Sequence, residues 1–425
     1  MSLRERLIEI RSGFDPAFWV ANVTELFERL AYYGALAVLA IYLTEQLHFS
    51  GKLTGSLMGI AGSVVYALPI LAGTLADRFG FRRALLFAYL VLTVGYFLLG
   101  SLEAPWMHPL REAIGDKWLV LALLLIPALG PGVVKPCVAG TTARASRENV
   151  RSLAYSIYYT IVNVGALMGP LMAWLVRKRL GLGIPAVFRA AACCAFLMFW
   201  VTLVFYREPG CSGGEKVEKL SSALRNVFIV LGNIRFVVFL LISSGFYVVF
   251  WQIWISMPIF MRRFVDSNAD VDRMLSIEAL TVICFQILVT YATRRMTAVR
   301  AIALGFLISA LSWIPLAVHP SMSTLAVLLV VLALGEITQA SRYYEYCSRL
   351  APPAQQGLYM GYAFLPLAIG FFIAGELAGC LLYEFGEVVK EPREMWWVVA
   401  GVGILTAMLM WLYDKIEKPR AAAAS

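Results

Sequence analysis

The sequence predicts an all-α membrane protein with twelve transmembrane helices in two six-helix bundles. Three observations lead to this. Of 425 residues, 60% are hydrophobic and 15% charged, whereas a soluble domain carries about 25% charged residues. The apolar residues fall in long runs separated by short basic clusters, and at ~20 residues per span the chain has room for roughly twelve. The longest polar interruption, 207–233, lies between six runs and six. Two such halves joined by a polar loop are what a transporter built from repeats predicts. The expected domains are therefore 1–206, a linker 207–233, and 234–425.

Taken in order, the first run, 17–44, is the most charged. It contains Glu25-Leu-Phe-Glu28-Arg29-Leu-Ala-Tyr32-Tyr33-Gly34. At helical spacing, positions 25, 28, 29, 32 and 33 share one face. Charges in hydrocarbon cost several kcal/mol each, so two carboxylates and a guanidinium on one stripe mark a functional site. The second run, 53–76, leads into the basic turn 77–83, and the third is 84–102. The fourth, 118–143, buries Lys135 within Gly130-Pro-Gly132-Val-Val-Lys135-Pro136. Glycine and proline there predict a bent helix with freed carbonyls, as at transport sites.

The fifth run, 152–176, contains Tyr158-Tyr159-Thr-Ile-Val-Asn163-Val-Gly165, whose Asn163 needs a partner. The sixth is 186–206. The seventh, 234–261, has Tyr247, Trp251, Gln252 and Pro258. Glu278 opens the eighth, 274–293, and the ninth is 299–318. The tenth, 322–349, places Glu336 after Gly335, with Arg342 and Glu345 one and two turns later, spaced to neutralise each other. Glu376 is a weaker candidate in the eleventh, 355–384, and 395–414 completes the set.

The net charge of +9 belongs to helix ends rather than to a nucleic-acid surface. With the N-terminus inside, the inner segments hold about twice as many Lys and Arg as the outer loops, despite Arg177-Lys178-Arg179 outside. Both termini are thus expected in the cytoplasm, with the chain multi-pass in the cell (inner) membrane. Seven cysteines fit no metal-ligand spacing and mostly sit in apolar runs as small hydrophobes. The three histidines, His48, His108 and His319, lie at loops or edges. With no nucleophile–base or metal constellation, an enzyme is not expected.

These motifs resemble the proton-dependent oligopeptide transporter family, the peptide transporters of the major facilitator superfamily. Glu25-Leu-Phe-Glu28-Arg29 is similar to its ExxER motif, followed by Tyr32-Tyr33-Gly34. Gly73-Thr-Leu-Ala-Asp77-Arg78-Phe-Gly80-Phe-Arg82-Arg83 resembles the superfamily's loop between spans two and three. Lys135-Pro136 is similar to a span-four Lys-Pro, and Tyr158 to Gly165 to an FYxxINxG signature. Gly335-Glu336 with Leu350-Ala351-Pro352 resembles the span-ten pattern.

The resemblance implies the major facilitator fold and alternating access around a midplane site between the halves. It implies that Arg29, Tyr33 and Lys135 hold a peptide carboxylate, and that Asn163, the span-eight position and Glu336 hold its amine. Tyr159, Trp251 and Gln252 join that binding set, and Gly73, Asp77, Arg78, Arg82 and Arg83 gate the conformational change. Proton coupling falls to Glu25, Glu28, Arg29, Lys135 and Glu278, with Glu28 as leading carrier: protonating it frees Arg29 or Lys135 for the solute. No cofactor is expected beyond the proton gradient. The partners are protons, membrane lipid and a small zwitterion, and the chain is expected to act as a monomer.

The sequence departs from the family pattern in several places. Leu36 and Trp251 stand where the family has an Arg and a span-seven Glu, a pair whose joint loss strands no charge. Glu278 replaces the span-eight Asn, Ala340-Ser341 replaces Ser-Pro, Cys137 replaces an Asn, and Phe364 replaces a Trp. Two carboxylates at 278 and 336 either share a proton or prefer a more cationic ligand. The leading expectation is proton-coupled import of di-/tripeptides or a related zwitterion. The alternatives are a proton-antiporting exporter of metabolites or drugs and a transporter-derived membrane sensor.

Overall fold

The computed structural model describes residues 13–70, 79–209, 229–352 and 355–423. Among the described residues, twelve long helices follow the apolar runs: α1 (Pro16–Ile41), α2 (Gly51–Ala67), α3 (Phe81–Leu99), α4 (Asp116–Arg144), α5 (Arg151–Trp174) and α6 (Gly183–Phe205) in the first half. The second half holds α7 (Ile234–Phe250), α8 (Val271–Thr293), α9 (Ala298–Leu311), α10 (Met322–Leu350), α11 (Leu365–Tyr383) and α12 (Met395–Ala423). Eleven described segments are long and apolar enough to cross a membrane. The twelfth expected span is α2, which runs toward undescribed residues 71–78. Among the described residues there is no strand, only one isolated bridge, Phe14 to Ser146.

Residues 1–38 and 67–222 form one compact unit, and 39–66 with 223–425 form a second. In the first unit, α3 packs on α4 and α6, and α4 on α5. α4 remains one continuous helix through Pro127, Pro131 and Pro136. Glycines set how closely α1 and α5 approach: a Cβ on Gly165 would strike the Arg29 side chain and the Leu26 carbonyl, and Gly34 and Gly169 meet backbone to backbone. Small residues at helix contacts are the usual means of association in lipid, where apolar burial gives little drive. The Gly34 and Gly165 of the two motifs thus press the charged face of α1 against α5.

In the second unit, α9 packs on α10 and α12, α8 on α10, and α7 on α11 and α12. α2 belongs here. Side chains at Gly55, Gly59 and Gly62 would collide with the Gly375 carbonyl, the Phe372 carbonyl and the Phe371 ring of α11. Ser63 Oγ donates to the Ala368 carbonyl at 2.7 Å. Beyond this seam, Tyr66 packs on Trp251 and Phe371, and Arg262 makes two hydrogen bonds to Glu45 at 2.8 and 2.6 Å.

Candidate functional site

In the first unit, most of the predicted face of α1 is buried: Glu25 is 0% exposed, Glu28 and Arg29 1% and Tyr32 8%, with Tyr33 half-buried; Asn22 and Thr24 beside it are also 0% exposed. Arg29 Nε donates to Glu28 Oε2 at 2.5 Å, and lies 3.5 Å from Glu25 Oε1. Its guanidinium sits 5.1 Å from the centre of the Tyr32 ring, a cation–π contact. Lys135 of α4 is half-buried and within electrostatic reach of Glu25, Glu28 and Arg29. Tyr33 adds its hydroxyl to the field at Arg29.

One guanidinium thus serves two carboxylates, with a second cation nearby, so the set of four is neutral when fully ionised. The two acids are held unequally. Glu28 accepts a charge-assisted hydrogen bond, whereas neither oxygen of Glu25 has a hydrogen-bond partner. Moving a proton onto either acid would redistribute Arg29 between its partners.

Two residues missed by the sequence reading complete this cluster. Tyr89 on α3, 0% exposed, lies near Thr24 and faces Glu25, Glu28 and Cys137. Tyr96, two turns on, faces Glu28 and Arg29. Their seven-residue spacing puts both on one face of α3. That spacing is the only signal in the sequence, and tyrosine is common enough in spans to hide it.

Asn163 and Tyr159 stand apart from the buried set. The Asn163 amide donates to the Tyr159 carbonyl at 2.9 Å on its own helix, and Tyr159 is 41% exposed. At the start of α3, both carboxylate oxygens of Glu208 accept backbone N–H groups, from Phe81 at 2.7 Å and Arg82 at 3.0 Å. The Arg82 guanidinium donates to the Leu203 carbonyl, Arg83 points outward, and Gly73, Asp77 and Arg78 lie outside the described residues.

In the second unit, Glu278 of α8 and Glu336 of α10 lie within electrostatic reach of each other. Glu278 is buried at 8% exposure. Gln252 is used in packing: its amide donates to the Ala374 and Val248 carbonyls, and its oxygen meets Ser256 Oγ at 2.5 Å. Trp251, 3% exposed, stacks on Phe371 with ring centres 4.4 Å apart. Leu36 is also buried, so the two positions lacking the family's charges carry apolar side chains. Arg342 donates to Glu345 at 2.9 Å, Arg349 shares that acid, and Arg342 also reaches the Thr293 carbonyl.

Comparison with known proteins agrees with this architecture. The signature of the Major Facilitator Superfamily matches residues 23–267 and 246–425. Multidrug resistance protein MdtH of Yersinia pestis (strain Pestoides F) is 25% identical over 393 residues, covering 91% of this chain and 92% of its own. A crystal structure of peptide transporter POT in complex with sulfate superposes with a TM-score of 0.76 at 19% identity, covering 94% of each chain. A POT family transporter in complex with 5-aminolevulinic acid gives 0.77 at 17% identity, covering 93% of this chain and 95% of its own. At these identities the solved structures establish the fold.

Proposed function

The chain belongs to the Major Facilitator Superfamily and is a multi-pass membrane transporter, not an enzyme; from that premise we propose that it is a proton-coupled symporter importing di-/tripeptides or a related small zwitterion by alternating access. The observation that carries this reading is Arg29, 1% exposed, held by Glu28 and beside Glu25, with Lys135 in reach. A guanidinium is an apt ligand for a solute carboxylate, and here it is occupied by an acid. Protonating Glu28 cancels that hold and frees Arg29 for the solute, so proton and solute load together. Tyr33 supports the same end of the solute, and Glu336 with Glu278 receives its amine. Asn163, Tyr159, Trp251 and Gln252 shape the walls, and the 73–83 turn gates the change of state.

The moving bodies in this reading are 1–206 and 234–425, joined by 207–233. The chain works as a monomer in the cell (inner) membrane with both termini in the cytoplasm. The fold likeness to peptide transporters and the retained ExxER, Lys-Pro and Gly-Glu motifs support it.

The test is uptake of a labelled dipeptide into proteoliposomes under an inward proton gradient, with wild type and Glu28→Gln side by side. Wild type accumulates the dipeptide. Glu28→Gln exchanges it across the membrane without accumulating it, because a permanently neutral side chain cannot follow the gradient. Uptake by Glu28→Gln with an unchanged pH dependence would remove Glu28 from the coupling. A second reading, proton-antiporting export, is favoured by the multidrug name of the sequence relatives. It predicts no accumulation by folded wild type, and drug efflux from cells instead.

A further inference from the structure

The connection between α3 and α4 is held firmly to its bundle. Leu102 and Met107, each 1% exposed, seat it on the first unit. After the single turn Pro105–Met107 the chain forms a short helix, His108–Ile114, and enters α4 at Asp116. Gly115 makes the corner with φ at +84°, a conformation that costs glycine little. Across that corner, Arg111 Nε and Nη2 donate to the two Asp116 carboxylate oxygens at 2.7 and 2.9 Å. The paired geometry fixes the short helix against the start of α4.

The short helix has two unlike edges, and both are open. His108 and Glu112 share one edge, and Leu110 with Ile114 share the other. At ~3.6 residues per turn the two edges stand about 200° apart. Leu110 is 42% and Ile114 45% exposed, and His108 and Glu112 are exposed as well. Trp106 and Trp118, at 56% and 59% exposure, flank the apolar edge in sequence. Trp106 stacks on Phe97 of α3 with ring centres 6.5 Å apart. Phe97 ends an exposed stripe of Phe87, Leu90, Val94 and Phe97 at three- and four-residue spacing. A stripe with no polar member faces lipid rather than an aqueous path, so the stack carries the lipid-facing surface of α3 into the loop. Lys117 Nζ rests 4.8 Å from the centre of the Trp118 ring, as a cation does beside an aromatic at headgroup level.

We infer that residues 105–118 are an interfacial anchor, lying in the boundary between lipid headgroups and acyl chains at the end of α3 away from Phe81. In the orientation proposed above this is the outer leaflet. Trp106, Leu110, Ile114 and Trp118 enter the apolar side of that boundary, while His108, Glu112 and the Arg111–Asp116 pair stay on its wet side. Large apolar side chains opposite a charged edge match this zone, tryptophan above all. Continuity selects lipid as the occupant, because Trp106 lies on a ring that lipid already covers. Charge narrows the chemistry further. Residues 103–118 set Glu103, Glu112 and Asp116 against Arg111 and Lys117, so anionic headgroups gain no net attraction and the apolar edge supplies the hold. The anchor thereby fixes the depth of the α3–α4 hairpin. This rests on the chain spanning a membrane and not on which solute it carries.

Fluorescence of the full chain in nanodiscs tests this. Subtracting the emission of Trp106→Phe or Trp118→Phe from that of wild type isolates each indole. Phosphatidylcholine brominated near the glycerol end of its chains should remove most of both signals, the same lipid brominated near the chain ends should remove less, and iodide in the water should remove little. Quenching by iodide but not by brominated lipid would put the loop in water and overturn the proposal. Protection from all three quenchers would show a protein cover, such as a second copy of the chain, and would overturn it equally. In the double variant Leu110→Glu, Ile114→Glu, the Trp118 signal should shift to the red and pass from the lipid quencher to iodide, whereas Glu112→Ala should leave it in place. A Trp118 signal still held by lipid in the double variant would mean that α4 sets its own depth and that the loop anchors nothing. Replacing part of the lipid with phosphatidylglycerol should change none of this at low or high salt. Lipid contact that needs the anionic lipid and vanishes in salt would make the attachment electrostatic, against the proposal. The wild-type and tryptophan-variant spectra decide the location of the loop even if the double variant fails to fold.

Discussion

Arg29 holds one buried carboxylate and stands 3.5 Å from another, which makes it the residue whose loss should be felt first. Arg29→Leu leaves Glu25 and Glu28 buried at 0% and 1% exposure without their nearest cation, a cost of about 3–5 kcal/mol. Thermal unfolding of the purified variant should show that loss, and adding Glu28→Gln should recover part of it. The charged stripe was legible in the sequence because helical periodicity alone gathers 25, 28, 29, 32 and 33. Tyr89 and Tyr96 were not, since an aromatic in an apolar run is ordinary and only its neighbours reveal it. For Asn163 and Tyr159, periodicity gives a face of α5 but not what that face meets. They sit on the open side, while Gly165 faces α1.

At the scale of elements, glycines decide which helices touch. Gly34, Gly165 and Gly169 bring α1 and α5 into backbone contact, Gly55 and Gly59 do the same for α2 on α11, and Gly62 makes room for the Phe371 ring. Gly55→Leu should abolish transport while leaving the protein inserted, because a side chain there collides with the Gly375 carbonyl of α11. Flux in proteoliposomes and accessibility of single cysteines on α11 would report it, and normal flux would show that the seam tolerates being wedged open. The glycine spacing is visible in the sequence as a helix-packing surface. Its partner is not, because nothing local in α2 names a helix some 300 positions away.

For the whole molecule, twelve helices were readable because each crossing demands a run of apolar residues of fixed length. The grouping of residues 39–66 with the second unit was not readable, since it depends on contacts rather than on chain order. Orientation rests on the distribution of Lys and Arg. A reporter fused to either terminus should be inaccessible from outside intact cells, and labelling of either from outside would reverse the assignment. The α2 seam also has a consequence for biogenesis. Ser63 meets the carbonyl of Ala368, 305 positions later. At ribosomal rates of ~5–20 residues per second, that stretch takes roughly 15–60 s to synthesise. Until then the glycine ridge of α2 lies bare in the bilayer, so the nascent chain must shelter it in the insertion machinery or leave it open to mispairing. The last helices translated therefore finish the packing of the second one made.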